Sequence, residues 1–356
     1  MPILLICKMQ SSIHKNFQLN GFSFLNKEEL LDYSESISKP IFVFLSEFLS
    51  DAIIVKVQTS GSTGVPRIIE IKKEFFINSA IATGEFFDLK EKTTALMCLN
   101  PEYIAGKMML IRALVLGWEL DVVSPSSNPL SNIEKVYDFS AMVPLQVFNS
   151  MGYLHKIKKL IIGGGVVSKG LESKLENLAI EVFSTYGMTE TVTHIALKRL
   201  NHFLLDTERS RSVYKALPNI SISTDSRDCL VIDAPLVSDS VIVTNDIVNI
   251  KSDNEFEWLG RVDSIINSGG VKLIPEQIEQ KLSDIISQRF FISSLPDDTL
   301  GEKVVLVIEG EEKNVDFSSV ANLSKYETPK EIFYLSKFIE TETKKIQRKK
   351  TLELLF

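Results

Sequence analysis

Cysteine, histidine, glycine and proline are all scarce in this sequence. Its three cysteines, Cys7, Cys98 and Cys229, are far apart and odd in number, which fits neither a disulfide framework nor a thiolate zinc site. The four histidines, His14, His155, His194 and His202, fall in no metal-ligand spacing. Seventeen glycines and twelve prolines in 356 residues exclude a collagenous or low-complexity chain. Basic excess is missing too. Lys and Arg number 39 against 46 Asp and Glu, a net charge of −7, which argues against a broad nucleic-acid footprint. Long apolar runs are absent. The stretch Pro2 to Cys7 is too short for a signal-peptide core. The longest uncharged stretch, Phe139 to His155, is broken by Pro144, Gln146 and Asn149, so it offers no membrane span. A soluble cytoplasmic protein is expected, with small molecules as partners; homo-oligomerisation is left open.

What is present is ordinary globular composition, 44% hydrophobic and 24% charged. At about 150 residues per domain the length suggests two domains. Short β-rich apolar runs alternate with helical patterns. Ile53–Val57, Ile68–Ile71, Ala95–Leu99, Ser140–Val143, Leu160–Ile162 and Ile180–Phe183 read as strands. Residues 73–87, 107–116 and 168–178 read as helices, with Phe76, Ala80 and Phe87 near one face of the first. Such alternation predicts an α/β fold with a largely parallel sheet. Short strands dominate from about 213 to 258, a β-rich subdomain. A boundary is expected near Gly260–Arg261. It separates a large N-terminal α/β domain (1–260) from a small mobile α+β domain (264–356), with a hinge at 261–263. In the small domain Pro275 to Ile286 has proline at the first helical position and Ile278, Leu282, Ile285 and Ile286 at helical spacing. Lys303–Ile308 reads as a strand, and the basic stretch 344–353 as a helix.

The strongest local signal is Thr59-Ser-Gly-Ser-Thr-Gly-Val-Pro-Arg67, between two strands. Four hydroxyls and two glycines within six residues can wrap a phosphate chain with backbone N–H and hydroxyl donors, and Arg67 adds fixed positive charge. It is not a Walker A loop, because Pro66 stands where the second glycine belongs. Four more strings follow in order: Tyr186-Gly-Met-Thr-Glu190; Thr244-Asn-Asp246; Gly260-Arg-Val-Asp263 followed by Ser268-Gly-Gly270; and Thr341-x-x-Lys-Lys-Ile-x-Arg348. With these five strings the chain, from about Ile53 to Lys350, resembles the adenylate-forming superfamily of acyl-CoA synthetases, peptide-synthetase adenylation domains and luciferases.

That resemblance implies roles for matching residues. Thr59, Ser60, Gly61, Ser62, Thr63, Gly64 and Arg67 would hold the β- and γ-phosphates of ATP. Tyr186 and Gly187 would lie against adenine beside Gly163, Gly164 and Gly165. Thr189 would touch the α-phosphate and Glu190 would hold Mg²⁺. Asp246 and Arg261 would meet the ribose hydroxyls. Asp263 would be the hinge, Gly269 and Gly270 would line the entry of CoA, and Lys345 would be the catalytic lysine. Lys345 is chosen over Lys344 by alignment with Ile346 and Arg348. The chain departs from the family pattern in three ways. Arg67 stands where lysine is usual, Lys344 where glycine is usual, and the chain is shorter at its N-terminus.

The stretch Pro101 to Leu114 sits at the family's acyl-pocket position. Tyr103 takes the place of an aromatic or histidine gate, and Lys107 and Arg112 follow it. Met108 and Arg112 share a helix face. A cation among apolar side chains suits an acid with a second carboxylate and a hydrophobic body; alternatively Arg112 snorkels, or pairs with an acidic neighbour such as Glu119. The reaction implied is ATP-dependent activation of a carboxylic acid, then transfer to a thiol. A non-catalytic nucleotide-binding module is the rival from another class.

Overall fold

The computed structural model describes residues 13–58, 67–202, 212–341 and 345–356. The chain forms two compact units. One comprises Met1–Val166, Leu175–Ser221 and Asp233–Ile242; the other comprises Val167–Lys174, Ile222–Ile232 and Val243–Phe356. Grouped by packing, the second unit therefore takes in 167–174, 222–232 and 243–260, which chain order alone assigns to the large domain. Strand pairing accounts for 243–260, because residues 242–252 form a hairpin with 255–261, and that hairpin leads directly into the C-terminal residues.

The first unit contains β1 (Gln18–Leu19), β2 (Ile54–Gln58), β3 (Ile68–Lys72), β4 (Thr94–Met97), β5 (Glu119–Val122), β6 (Tyr137–Met142), β7 (Ile157–Ile162), β8 (Glu181–Gly187), β9 (His194–Arg199) and β10 (Val213–Ala216). Strands β2 and β3 form a separate antiparallel hairpin. The others are bonded in the order β1-β5-β4-β6-β7-β8-β9-β10. Pairing is parallel from β1 through β8 and antiparallel from β8 through β10. The parallel strands are near-continuous apolar runs such as Leu160-Ile-Ile162, all buried, as expected of strands covered on both faces. Helix Lys73–Phe87 buries Phe76, Ala80 and Phe87. Helix Ile104–Leu116 starts three residues earlier than its sequence pattern predicts, because the Asn100 side chain closes a turn on the Glu102 N–H and Tyr103 takes the N-cap position. That helix is apolar nearly all round and buries Met108 through Val115, the mark of a core helix.

The second unit contains β11 (Ser221–Thr224), β12 (Cys229–Asp233), β13 (Ile242–Ser252), β14 (Glu255–Arg261), β15 (Ile266–Ser268), β16 (Val271–Leu273), β17 (Phe290–Asp297), β18 (Gly301–Glu309) and β19 (Glu331–Leu335). Its strands run β14-β13-β12-β11, with a further sheet ordered β16-β15-β18-β17 and β19 beside β18. Helix Pro275–Leu282 buries Ile278 and Leu282 on this sheet. It ends earlier than its periodicity suggests. Ile285 and Ile286 follow in a turn that bonds back to Leu282, which buries Ile286 and leaves Ile285 exposed. The basic stretch near the C-terminus is helical over Arg348–Leu352.

A register shift lies between Tyr186 and Gly187, where β8 meets β9. A Cβ on Gly187 would sit 2.2 Å from the Thr193 carbonyl oxygen and 2.6 Å from the His194 Cα. Both obstacles are backbone, so neither can swing aside. Gly187→Ala should therefore destabilise the fold by about 1–3 kcal/mol, read as a lower urea midpoint with an unchanged slope.

Candidate active site

A parallel sheet presents all its carboxyl ends along one edge, and open α/β sheets bind ligands there. In the first unit that edge carries Tyr103 beyond β4, Gly163, Gly164 and Gly165 directly after β7, and Tyr186 through Glu190 at the end of β8. Gly163 and β8 are in close approach, since a Cβ on Gly163 would lie 2.6 Å from the Thr185 Oγ1. Gln146 ties two of the edge loops together. Its Nε2 donates to the Cys98 carbonyl at 2.9 Å and to the Ser126 carbonyl at 3.0 Å. Tyr186 lies against Tyr214, with ring centroids 5.9 Å apart.

Thr189 opens a tight 3₁₀ turn, Thr189–Thr191. The Thr191 hydroxyl accepts from the Met188 N–H at 3.0 Å and donates within the turn. The next residue, Val192, has φ +63°, an expensive conformation for a β-branched side chain. The turn leaves Glu190 exposed, with no ion-pair partner among the described residues. No group of three or more potential metal ligands occurs among the described residues. A single open carboxylate suits Mg²⁺, which keeps most of its ligands as water and substrate phosphate oxygens. Arg67 is exposed just before β3. Thr59, Ser60, Gly61, Ser62, Thr63 and Gly64 lie outside the described residues, as does Lys344.

The acyl-pocket residues separate into two places. Lys107 turns its ammonium to the Glu102 carbonyl at 2.6 Å and over the Phe44 ring. Arg112 is 1% exposed, so it does not snorkel, and it has no carboxylate partner among the described residues. Its Nε donates to Thr83 Oγ1 at 3.2 Å, and its Nη2 lies 3.5 Å from His194 Nδ1. Thr83 donates in turn to the Ser79 carbonyl at 2.9 Å, and its Oγ1 is 3.5 Å from His194 Nε2. The network is self-consistent with the His194 proton on Nε2 and Nδ1 bare to accept from Arg112. Burial, then the Arg112 charge, hold His194 well below its ordinary pKa, so it is neutral at pH 7. Burial also pulls Arg112 down to about 9, which leaves it charged at pH 7.

His194 also lines a cavity of about 90 Å³, whose other walls include Ala82, Ile195, Leu217, Ile220 and Val237. The buried cation therefore lies one side chain behind a mostly apolar hollow whose wall also carries Asn78, Glu85 and Asn219. His194 and Thr83 carried no sequence signal. His194 stands four residues beyond Glu190 in an ordinary strand, and Thr83 is one of several small residues on a helix.

The second unit gathers Asp246, Arg261, Asp263 and Lys345. Asp246 on β13 is the register partner of Arg261 on β14. Its Oδ1 accepts from Trp258 Nε1 at 3.1 Å and lies 3.7 Å from Arg261 Nη1. Arg261 also grips Asp263 with two bonds of 2.9 Å, and this holds the Asp263 carboxyl below its ordinary pKa. Burial and the nearby Arg261 charge lower the Lys345 ammonium. Gly269 and Gly270, both exposed, form the two-residue turn between β15 and β16, each at positive φ as a tight hairpin requires.

With this geometry in hand, the chain can be placed among known proteins. It matches the family of AMP-binding enzymes over residues 46–225 and belongs to that family. It is similar to an acyl-CoA synthetase (AMP-forming)/AMP-acid ligase II-like protein from Dyadobacter fermentans, whose structure is 38% identical with a TM-score of 0.58, covering 88% of this chain and 93% of that one. Among curated relatives, a 2-succinylbenzoate–CoA ligase of Lactococcus lactis is 23% identical, covering 88% of this chain and 74% of its own. The same fold is seen in Bacillus subtilis MenE in complex with the acyl-adenylate intermediate OSB-AMP, at 19% identity and a TM-score of 0.71, covering 91% of this chain and 80% of that one. No helix among the described residues is long and apolar enough to cross a membrane.

Arg112→Met keeps length and volume while removing the unpaired buried charge. It should leave the fold as stable or raise its stability by about 1–3 kcal/mol. A urea or thermal melt checks this, and clear destabilisation would mean the cation serves the fold.

Proposed function

We propose that this protein is an AMP-forming acid–CoA ligase that activates 2-succinylbenzoate, a step of menaquinone biosynthesis. The observation that carries the reading is Arg112, a buried guanidinium with no carboxylate partner among the described residues, which lies behind His194 in the wall of a mostly apolar cavity. 2-Succinylbenzoate has two carboxylates. One is activated, and the other needs a fixed cation whose charge no protein carboxylate has taken up. The curated relatives named for this activity support the same choice.

The first half-reaction sets anion against anion. An oxygen of the succinyl carboxylate attacks the α-phosphorus of ATP, the bond to pyrophosphate breaks, and the acyl-adenylate forms. Positive charge must stand where negative charge accumulates. Lys345 supplies an ammonium to the reacting phosphate, and Thr189 donates to it from the turn after β8. Glu190 would hold Mg²⁺, which when bound would neutralise charge on the phosphate chain. Residues 59–64 and Arg67 hold the outer phosphates, and Tyr186 and the Gly163–Gly165 turn hold adenine. Asp246 accepts from the ribose hydroxyls and Arg261 donates to them. In the second half-reaction the CoA sulfur attacks the acyl carbon beside Gly269 and Gly270, its proton departs, and the carbon–oxygen bond to AMP breaks. The hinge at 261–263, centred on Asp263, joins the two steps, since hinges are a few residues at the ends of elements.

ATP–pyrophosphate exchange across a panel of acids tests the substrate. 2-Succinylbenzoate should give the largest exchange, and Arg112→Met should raise its KM about 100-fold or more while sparing benzoate. Silence with 2-succinylbenzoate and turnover with benzoate or a fatty acid would reassign the acid. Silence with every acid would favour the non-catalytic module.

Lys345→Ala should cut exchange about 100- to 1,000-fold and spare CoA capture from supplied acyl-adenylate. The ammonium must stay protonated to act, and its pKa lies below the ordinary 10.5. Exchange should therefore fall on an alkaline limb below pH 10.5 that CoA capture lacks.

A further inference from the structure

Arg348 lies three residues after Lys345, and its contacts reach well beyond its own segment. Its Nη2 bonds Glu279 Oε2 at 2.9 Å and its Nη1 lies 3.5 Å from Glu276 Oε1. These two carboxylates are one helical turn apart on Pro275–Leu282. Glu279 also accepts from the Ile292 N–H at 2.8 Å, which ties that end of the grip to β17. The guanidinium lies over the Phe291 ring, 5.9 Å from its centroid.

Glu276 looks the other way as well. Its Oε1 accepts from the Ser264 hydroxyl at 3.0 Å, the residue directly after Asp263. Its Oε2 is buried with no hydrogen-bond partner and fills the space beside Gly260, where a Cβ would come within 2.5 Å of it. One carboxylate thus touches the end of β14, the residue after the hinge, and the cation that follows Lys345.

Lys345 itself is held only through its backbone among the described contacts. Its N–H donates to Thr341 Oγ1 at 3.1 Å and its carbonyl accepts from the Thr341 N–H at 2.9 Å. Ile346 bridges to Glu340, and the Gln347 N–H donates to the Ile339 carbonyl at 2.8 Å. Ile346 and Leu352 pack on Phe291 and Phe338. Among the described residues, the hydrogen bond and ion pairs that tie this segment to the helix carrying Glu276 and Glu279 are those of Arg348.

We propose that Arg348, clamped by Glu276 and Glu279, is a positioning residue for Lys345 in the adenylation half-reaction. It references the ammonium to the same helix that Ser264 ties to the hinge. The inference rests on the reading of Lys345 given above. Its signature is asymmetry between the two half-reactions. A displaced ammonium spoils adenylation, because a shift of about 1 Å can cost about 100-fold in rate. Capture of a ready-made acyl-adenylate by CoA does not use the ammonium and should not feel the shift.

The test uses the full-length enzyme and measures ATP–pyrophosphate exchange and CoA capture from supplied acyl-adenylate separately. Arg348→Met, which keeps the apolar stem over Phe291, should lower kcat for exchange about 100-fold with little change in KM, and leave CoA capture within about twofold of wild type. Arg348→Lys should restore part of the exchange. Glu276→Gln, isosteric and neutral, should depress exchange alone in the same way, and it serves if Arg348→Met does not fold. Equal loss in both half-reactions, or no loss in either, overturns the positioning role. Lys345→Ala is run alongside. If it abolishes exchange while Arg348→Met does not, only this inference fails. If it leaves exchange intact, the reading beneath fails first.

Discussion

Positive charge held out of bulk water is the constraint on which this molecule turns. An acid and a nucleotide repel each other, and water would screen any cation left exposed between them. The chain meets this by keeping guanidinium and ammonium groups partly or wholly buried, where a charge acts strongly and is costly to leave unpaired. Arg112 has neutral partners, Thr83 and His194. Arg261 is shared by Asp246 and Asp263. Arg348 has two carboxylates of its own. The degree of neutralisation differs: Arg112 has no carboxylate partner among the described residues, whereas Arg348 is gripped by two.

The scaffold supplies the precision this requires. In the first unit the carboxyl edge of the parallel strands carries Tyr103, the three glycines and the Thr189–Thr191 turn in register, because parallel pairing places those strand ends side by side. The strained Val192 and the closely approached Gly187 sit at the turn that aims Glu190. Strain at such a place is tolerated because the strands on either side over-determine it. In the second unit the β13–β14 hairpin makes Asp246 and Arg261 opposite partners, so two residues fifteen apart in sequence become one group.

Much of this was legible from sequence. Strand–helix alternation was plain because buried parallel strands are uniformly apolar and the helices between them are not. Strand positions agree to within a few residues, and the β-rich stretch beginning at 213 is present as hairpins. Helix ends were harder. Ile104–Leu116 begins with a side-chain turn from Asn100 that no periodicity reveals, and Pro275–Leu282 stops although Ile285 keeps the spacing. The grouping of 222–232 and 243–260 with the C-terminal residues was not legible either, since strand partnership over long separations leaves no local mark.

The class of fold, the order of the motif strings and therefore the family were readable along the chain, because those depend on residue type and local spacing. What surrounds each charge is settled by packing. Nothing near Arg112 in the chain announces Thr83 or His194, and nothing near Arg348 announces Glu276 or Glu279. Partners that lie tens of residues away are chosen by packing, and it is packing that sets whether a cation is neutralised, poised or turned aside as Lys107 is.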